Sequence, residues 1–143
     1  MKRARFMLLA GVVAVGVLVL VGGVALAAVT IKGTSQNDHL VGTPADENFI
    51  PYGGDDLVKT MGGSDTVHHS YGNDTIYGGP GNETLRGGFG NDVIDGSGDP
   101  GFKDLIDCAY VDSRENQSAT DKAIADAGWD TVVDCKTTEW RKL

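Results

Sequence analysis

Basic residues are few, prolines number four, histidines three and cysteines two. Lys2, Arg3 and Arg5 stand ahead of an apolar run, so beyond residue 31 nine basic groups face all 20 acidic ones, a net of about −11. Nucleic acid and anionic lipid, which need a basic footprint, are excluded as partners, and divalent cations are favoured. Two thiols without clustered histidines do not make a zinc site. No second long apolar run follows the first, so nothing is available to line a pore. Catalytic signatures are equally thin: Ser97 lies in DGSGD, which lacks the first glycine of a nucleophile elbow, and no phosphate loop is present. His39, His68 and His69 fall on outward or turn positions of the pattern described below, where a solvated histidine is the ordinary outcome.

The opening residues, MKRARFMLLAGVVAVGVLVLVGGVALAAVTI, have a basic start, a long apolar run and a small-residue close. They predict export, by a cleavable signal cut after Ala27 or Ala28 or by an uncleaved anchor, since the run from Phe6 to Ala28 is long enough to span a bilayer. Charge ahead of the run places the rest outside the cytoplasm in either case. An even cysteine count in an oxidising compartment predicts a Cys108–Cys135 disulfide.

What the chain has in abundance is glycine, 21 residues of it, and it is not scattered. Cut every nine residues from Gly33, the sequence reads GTSQNDHLV, GTPADENFI, PYGGDDLVK, TMGGSDTVH, HSYGNDTIY, GGPGNETLR and GGFGNDVID. Position six is acidic throughout (Asp38, Glu47, Asp56, Asp65, Asp74, Glu83, Asp92), and position eight is apolar throughout (Leu40, Phe49, Val58, Val67, Ile76, Leu85, Ile94). Position four is Gly54, Gly63, Gly72, Gly81 and Gly90 in the last five units. A disordered glycine linker has no reason to place an aliphatic residue at every ninth position, and a helix would show a 3.6-residue period. A three-residue strand followed by a glycine turn fits, with position eight inward and its neighbours outward. One triplet buries nothing alone, so units must coil and stack into two facing parallel sheets.

These units resemble the haemolysin-type, or repeats-in-toxin (RTX), calcium-binding nonapeptide G-G-x-G-x-D-x-U-x, most closely at GGPGNETLR and GGFGNDVID. The resemblance covers residues 33–95 and implies an all-β parallel β-roll, a bacterial origin and Ca2+ held between the turns of units n and n+2. Carried over, one ladder holds Asp38, Asp56, Asp74 and Asp92. The other holds Glu47, Asp65 and Glu83, continued by Asp104. The implied metal-binding residues are Asp38, Asp56, Asp65, Asp74, Glu83, Asp92 and Asp104, with Gly54, Gly72, Gly79, Gly81, Gly88 and Gly90 in the turns. At a strand spacing of about 4.8 Å and an effective dielectric near 20, neighbouring carboxylates repel by roughly 3 kcal/mol, which a cation removes. Calcium suits two carboxylates and several carbonyls better than octahedral magnesium does.

The expected organisation is a leader over 1–28, the roll over 29–107 and a disulfide-closed C-terminal cap over 108–143. Within the cap SATDKAIADAG predicts a short helix begun by Ser118 and ended at Gly128, and Trp129 and Trp140 are expected to pack inside it. The function implied is non-enzymatic calcium binding by an extracellular monomer, with a cell-surface or extracellular polymer as further partner. Two alternatives stand beside it. One is a calcium-dependent secreted hydrolase or toxin remnant, against which stands the N-terminal rather than C-terminal export signal. The other is a surface or ice binder, which would need outward threonine ladders, whereas Thr66, Thr75 and Thr84 should alternate between sheets.

Overall fold

A computed structural model describes residues 28–109 and 120–142, so the expected leader lies outside the described residues except for Ala28. Every element among the described residues is a strand. In chain order they are β1 Val29–Lys32, β2 His39–Val41, β3 Glu47–Ile50, β4 Leu57–Lys59, β5 Thr66–Val67, β6 Ser70–Tyr71, β7 Thr75–Tyr77, β8 Thr84–Phe89, β9 Val93–Asp95, β10 Leu105–Ala109, β11 Lys122–Asp126, β12 Thr131–Val133 and β13 Thr137–Arg141.

Strands from alternate units pair, as the stacking argument requires. One sheet runs β1-β3-β5-β8-β10-β12, with β6 also on β8, and the other runs β13-β11-β9-β7-β4-β2. Every pairing is parallel, and partners within the repeats are 18 residues apart, so that Asn48 lies beside Thr66 and Val58 beside Ile76. Two nonapeptides therefore make one turn of a parallel β-roll. The triplets are too short to be stable singly and are held by neighbours above and below.

All seven position-eight residues are fully buried, together with Ile106, and Ile31, Cys108, Ala123 and Ala125 extend the same core. The core is one row of apolar side chains per sheet meeting between the sheets. Outward positions carry mixed chemistry: Thr66 pairs with Thr84 on one sheet, while Thr75 lies between Leu57 and Val93 on the other. No threonine ladder of the kind an ice-binding face needs is formed by them.

The C-terminal segment departs from expectation in two respects. Lys122–Asp126 is a strand, not part of a helix, although alanine and lysine favour helix. The reason is tertiary: Ala123 and Ala125 alternate inward, and β11 is sandwiched between β9 and β13, with Ala123 beside both Ile94 and Thr138. Ser118 lies outside the described residues. Trp129 and Trp140 are not packed inside this segment but stand 43% and 49% exposed. The segment closes the roll by prolonging it, β12 ending one sheet and β13 the other.

Cys108 and Cys135 form a disulfide across a separation of 27 residues, from the buried face of β10 to the residues after β12. By loop entropy such a closure contributes roughly 3.5 kcal/mol. Cys135 is only partly buried, so Cys135→Ser opens the loop with little damage to the core. A fall of that size in unfolding free energy is expected from urea denaturation. Equal midpoints for the variant and the parent would show that the loop needs no tether.

Candidate metal site

The coil gathers the position-six acids into two columns, along the edges where the chain crosses between sheets. After the first acid of each column, every carboxylate except that of Glu83 accepts a hydrogen bond from the backbone N–H of the acid one turn earlier. In the first column Asp38 donates to Asp56, Asp56 to Asp74 and Asp74 to Asp92, at 2.8, 2.9 and 2.9 Å. In the second Glu47 donates to Asp65 at 2.8 Å and Glu83 to Asp104 at 2.9 Å. Both ladders are thus in the expected register, and each continues beyond it. Asp92 donates to Asp121 and Asp104 to Asp130, at 2.9 and 3.2 Å. Asp121 escaped the sequence reading because 29 residues separate it from Asp92 where 18 separate its predecessors.

A second ladder runs the opposite way and carries no sequence signal beyond a polar position five. Asp55 N–H bonds Asn37 Oδ1, Asn73 N–H bonds Asp55 Oδ1, Asn91 N–H bonds Asn73 Oδ1 and Thr120 N–H bonds Asn91 Oδ1. Position six therefore ties each turn to the one before it, and position five ties it to the one before through the opposite donor and acceptor. Backbone N–H groups that a glycine turn would leave unpaired are satisfied this way.

Glycine is required at these corners by both dihedral and space. Gly54, Gly72, Gly81, Gly88 and Gly90 all have φ between +104° and +155°. A Cβ on Gly72 would stand 2.1 Å from the Gly54 carbonyl oxygen, and one on Gly79 would stand 1.5 Å from that of Met61. Carbonyls of one turn thus press against the α-carbons of the next. Tyr52 and Met61 take positive φ at position two, where Gly88 does so in the last unit.

The carboxylates are desolvated. Asp56, Asp65, Asp74, Glu83, Asp92 and Asp104 are each at most 3% exposed. Burial raises the Asp56 and Asp65 carboxyls to about 6 and Asp92 to about 7, against the backbone N–H bonds that oppose the rise. Asp74 is raised too, by burial. Glu83 is pushed far above the ordinary glutamate range, by burial first and then by the neighbouring Asp104 carboxyl.

The second oxygen of each carboxylate divides the acids into two groups. Where position two bears a hydroxyl, the turn satisfies its own acid: Thr34 Oγ1 donates to Asp38 at 2.9 Å, Thr43 Oγ1 to Glu47 and Ser70 Oγ to Asp74. Where position two is Tyr52, Met61, Gly79 or Gly88, the outer oxygens of Asp56, Asp65, Glu83 and Asp92 are buried without a hydrogen-bond partner. Asp104 Oδ2 is in the same condition. Buried unpaired carboxylate oxygens are costly, and a hard oxygen-seeking cation is what this donor set fits.

Among the described residues, Ser97 and the histidines do not converge on a reactive centre. Ser97 Oγ donates to Asp95 at 2.6 Å, His39 and His68 face solvent, and His69 Nε2 lies 3.8 Å from Asp107. A family model described as the RTX calcium-binding nonapeptide repeat (4 copies) matches residues 52–76 and 70–99. No curated protein and no solved structure matches the chain.

Proposed function

We propose, from the match of residues 52–99 to the RTX calcium-binding nonapeptide repeat, that the protein is an exported, non-enzymatic calcium-binding β-roll whose folding is coupled to ion binding. The observation that carries the reading is the set of buried, unpartnered outer oxygens on Asp56, Asp65, Glu83, Asp92 and Asp104. Bound calcium would supply positive charge to these oxygens and accept the turn carbonyls that glycine brings to the edge. The chain's own residues do the rest. Position-six amide bonds orient the carboxylates, position-four glycines admit the carbonyl of the adjacent turn, and the apolar rows hold the turns in register. Export is supported by the basic-then-apolar leader.

Equilibrium calcium binding to the full chain, followed by calorimetry in excess magnesium, tests this. Several calcium ions per chain are expected, in the 0.1–1 mM range common among extracellular modules. Asp92→Asn should remove binding on its edge. Ser70→Gly should strengthen binding, because deleting the hydroxyl frees the outer oxygen of Asp74 for a cation. No uptake at 10 mM calcium would sink the proposal, and weaker binding by Ser70→Gly would sink the account of position two.

A further inference from the structure

The 18-residue ladder spacing first breaks after Glu83. Glu83 and its acceptor Asp104 are 21 residues apart, and the extra length forms a loop after β9, GSGDPGFK over residues 96–103. The loop does not hang free. Gly98 and Asp99 donate their N–H groups to Asp126 Oδ2 at 3.0 and 3.2 Å, and Phe102 N–H closes a turn on the Asp99 carbonyl at 3.2 Å. Asp126 is held in turn, its own N–H donating to Asp130 Oδ2 at 2.6 Å. This scaffold folds the loop back so that Asp99 Oδ2 accepts from Gly81 N–H at 3.1 Å, inside the turn that carries Glu83.

The result is a cluster that the nonapeptide pattern does not specify. One carboxylate oxygen from each of Glu83, Asp99 and Asp104 lies within 4.8 Å of the other two. Oxygens bound to one calcium at 2.3–2.6 Å are at most about 4.6–5.2 Å apart, so the three can share an ion. The cluster also contains unsatisfied groups. Glu83 and Asp104 are each 2% exposed, and both Glu83 oxygens and Asp104 Oδ2 lack a hydrogen-bond partner. The extra methylene of Glu83 explains the first of these: no bond from the Asp65 N–H reaches its carboxylate, which stands instead beside Asp104 and Asp99.

We propose that Glu83, Asp99 and Asp104 form a three-carboxylate divalent-cation site, built by the Gly96–Lys103 loop and tighter than the two-carboxylate ladder sites. The inference rests on the calcium reading of the ladders but names a ligand, Asp99, that lies outside every nonapeptide unit. Affinity follows the number of charged ligands, and the third charge here is held on a pinned loop. The glutamate, which misses its ladder partner, thereby gains a role that aspartate could not fill from the same backbone position.

Calcium binding to the full chain tests the assignment, with Asp99→Asn and, as a control on the opposite edge, Asp56→Asn. Asparagine at 99 keeps an oxygen for the Gly81 N–H, and circular dichroism at saturating calcium checks that the roll is retained. The parent is expected to show one class of site at least tenfold tighter than the rest. Asp99→Asn should lose that class and keep the weaker ones, whereas Asp56→Asn should keep the tight class. If Asp99→Asn binds like the parent, or if Asp56→Asn alone removes the tight class, the loop site is overturned while the ladder reading stands. If the parent binds no calcium, both fall together.

Discussion

Stripped of calcium at pH 8, the chain is expected to lose its β-structure, and to recover it without metal when the pH is lowered to 5. The expectation follows from the carboxyls at the two edges. In the folded state Asp56 and Asp65 titrate at about 6 and Asp92 at about 7, against an ordinary value of 3.8. Between those limits the folded chain holds protons that the unfolded chain has released, so stability falls as the pH rises. The contribution is fully present below pH 4 and is lost as the pH passes through 6 to 7. Two pKa units correspond to about 3 kcal/mol, and three such groups together rival the whole stability of an ordinary small domain. Burial, the first cause of each shift, is relieved by a proton or by a cation, so acid and calcium act as alternative counter-charges. Far-UV circular dichroism of the chelated chain at pH 5 and pH 8, followed by calcium addition at pH 8, decides the matter. Equal β-content at both pH values without metal would show that the edges tolerate their charge and that calcium is not coupled to folding.

Replacing Gly72 by alanine should be more damaging than any single loss of charge, and more damaging than the same change at Gly98. Both glycines have φ well inside the left-handed region, +123° and +108°. A side chain there costs on the order of 1–3 kcal/mol wherever it occurs. The surroundings differ. The Cβ of Gly98→Ala meets nothing within 4 Å, whereas that of Gly72→Ala overlaps the Gly54 carbonyl at 2.1 Å. Neither backbone can retreat. Gly72 N–H is bonded to the Phe89 carbonyl at 2.8 Å, and the Asp56 N–H two residues beyond Gly54 is bonded to Asp74 at 2.9 Å. Separating the turns would break both ladders at that level. Gly98→Ala is expected to lose only the dihedral cost in urea denaturation, and Gly72→Ala at least about 3 kcal/mol more, as for other backbone overlaps in a packed interior. Similar midpoints for the two variants would mean that the stacked turns have room to part.

The part of this architecture legible in the sequence was the part that repeats. A period of nine places one inward apolar residue and one turn acid per unit, and Leu40 through Ile94 and Asp38 through Asp92 occupy those places in the structure. What lay beyond reach depended on chain that breaks the period. Asp121 and Asp130 extend the ladders after 29- and 26-residue intervals, which no fixed-period cut aligns. Lys122–Asp126 reads locally as helix, and only the flanking strands β9 and β13 make it a strand. The hydroxyls of Thr34, Thr43 and Ser70 occupy the place of a consensus glycine, and their bonds to the acids depend on a turn geometry that spacing does not reveal. Asp99 is outside the pattern altogether, and its approach to Glu83 depends on anchoring by Asp126.

The unequal intervals along the acid ladder carry a consequence for how such a chain can change. Steps of 18, 21, 26 and 29 residues all end in the same amide-to-carboxylate bond, at 2.8–3.2 Å. In the 21-residue step the surplus leaves the coil after β9, and the chain rejoins it as β10, paired in parallel with β8. The unit of inheritance in this fold is therefore the anchoring acid rather than a number of residues. New sequence can be spliced into a corner at little structural risk, and the Gly96–Lys103 loop shows that such an addition can bring back a working side chain.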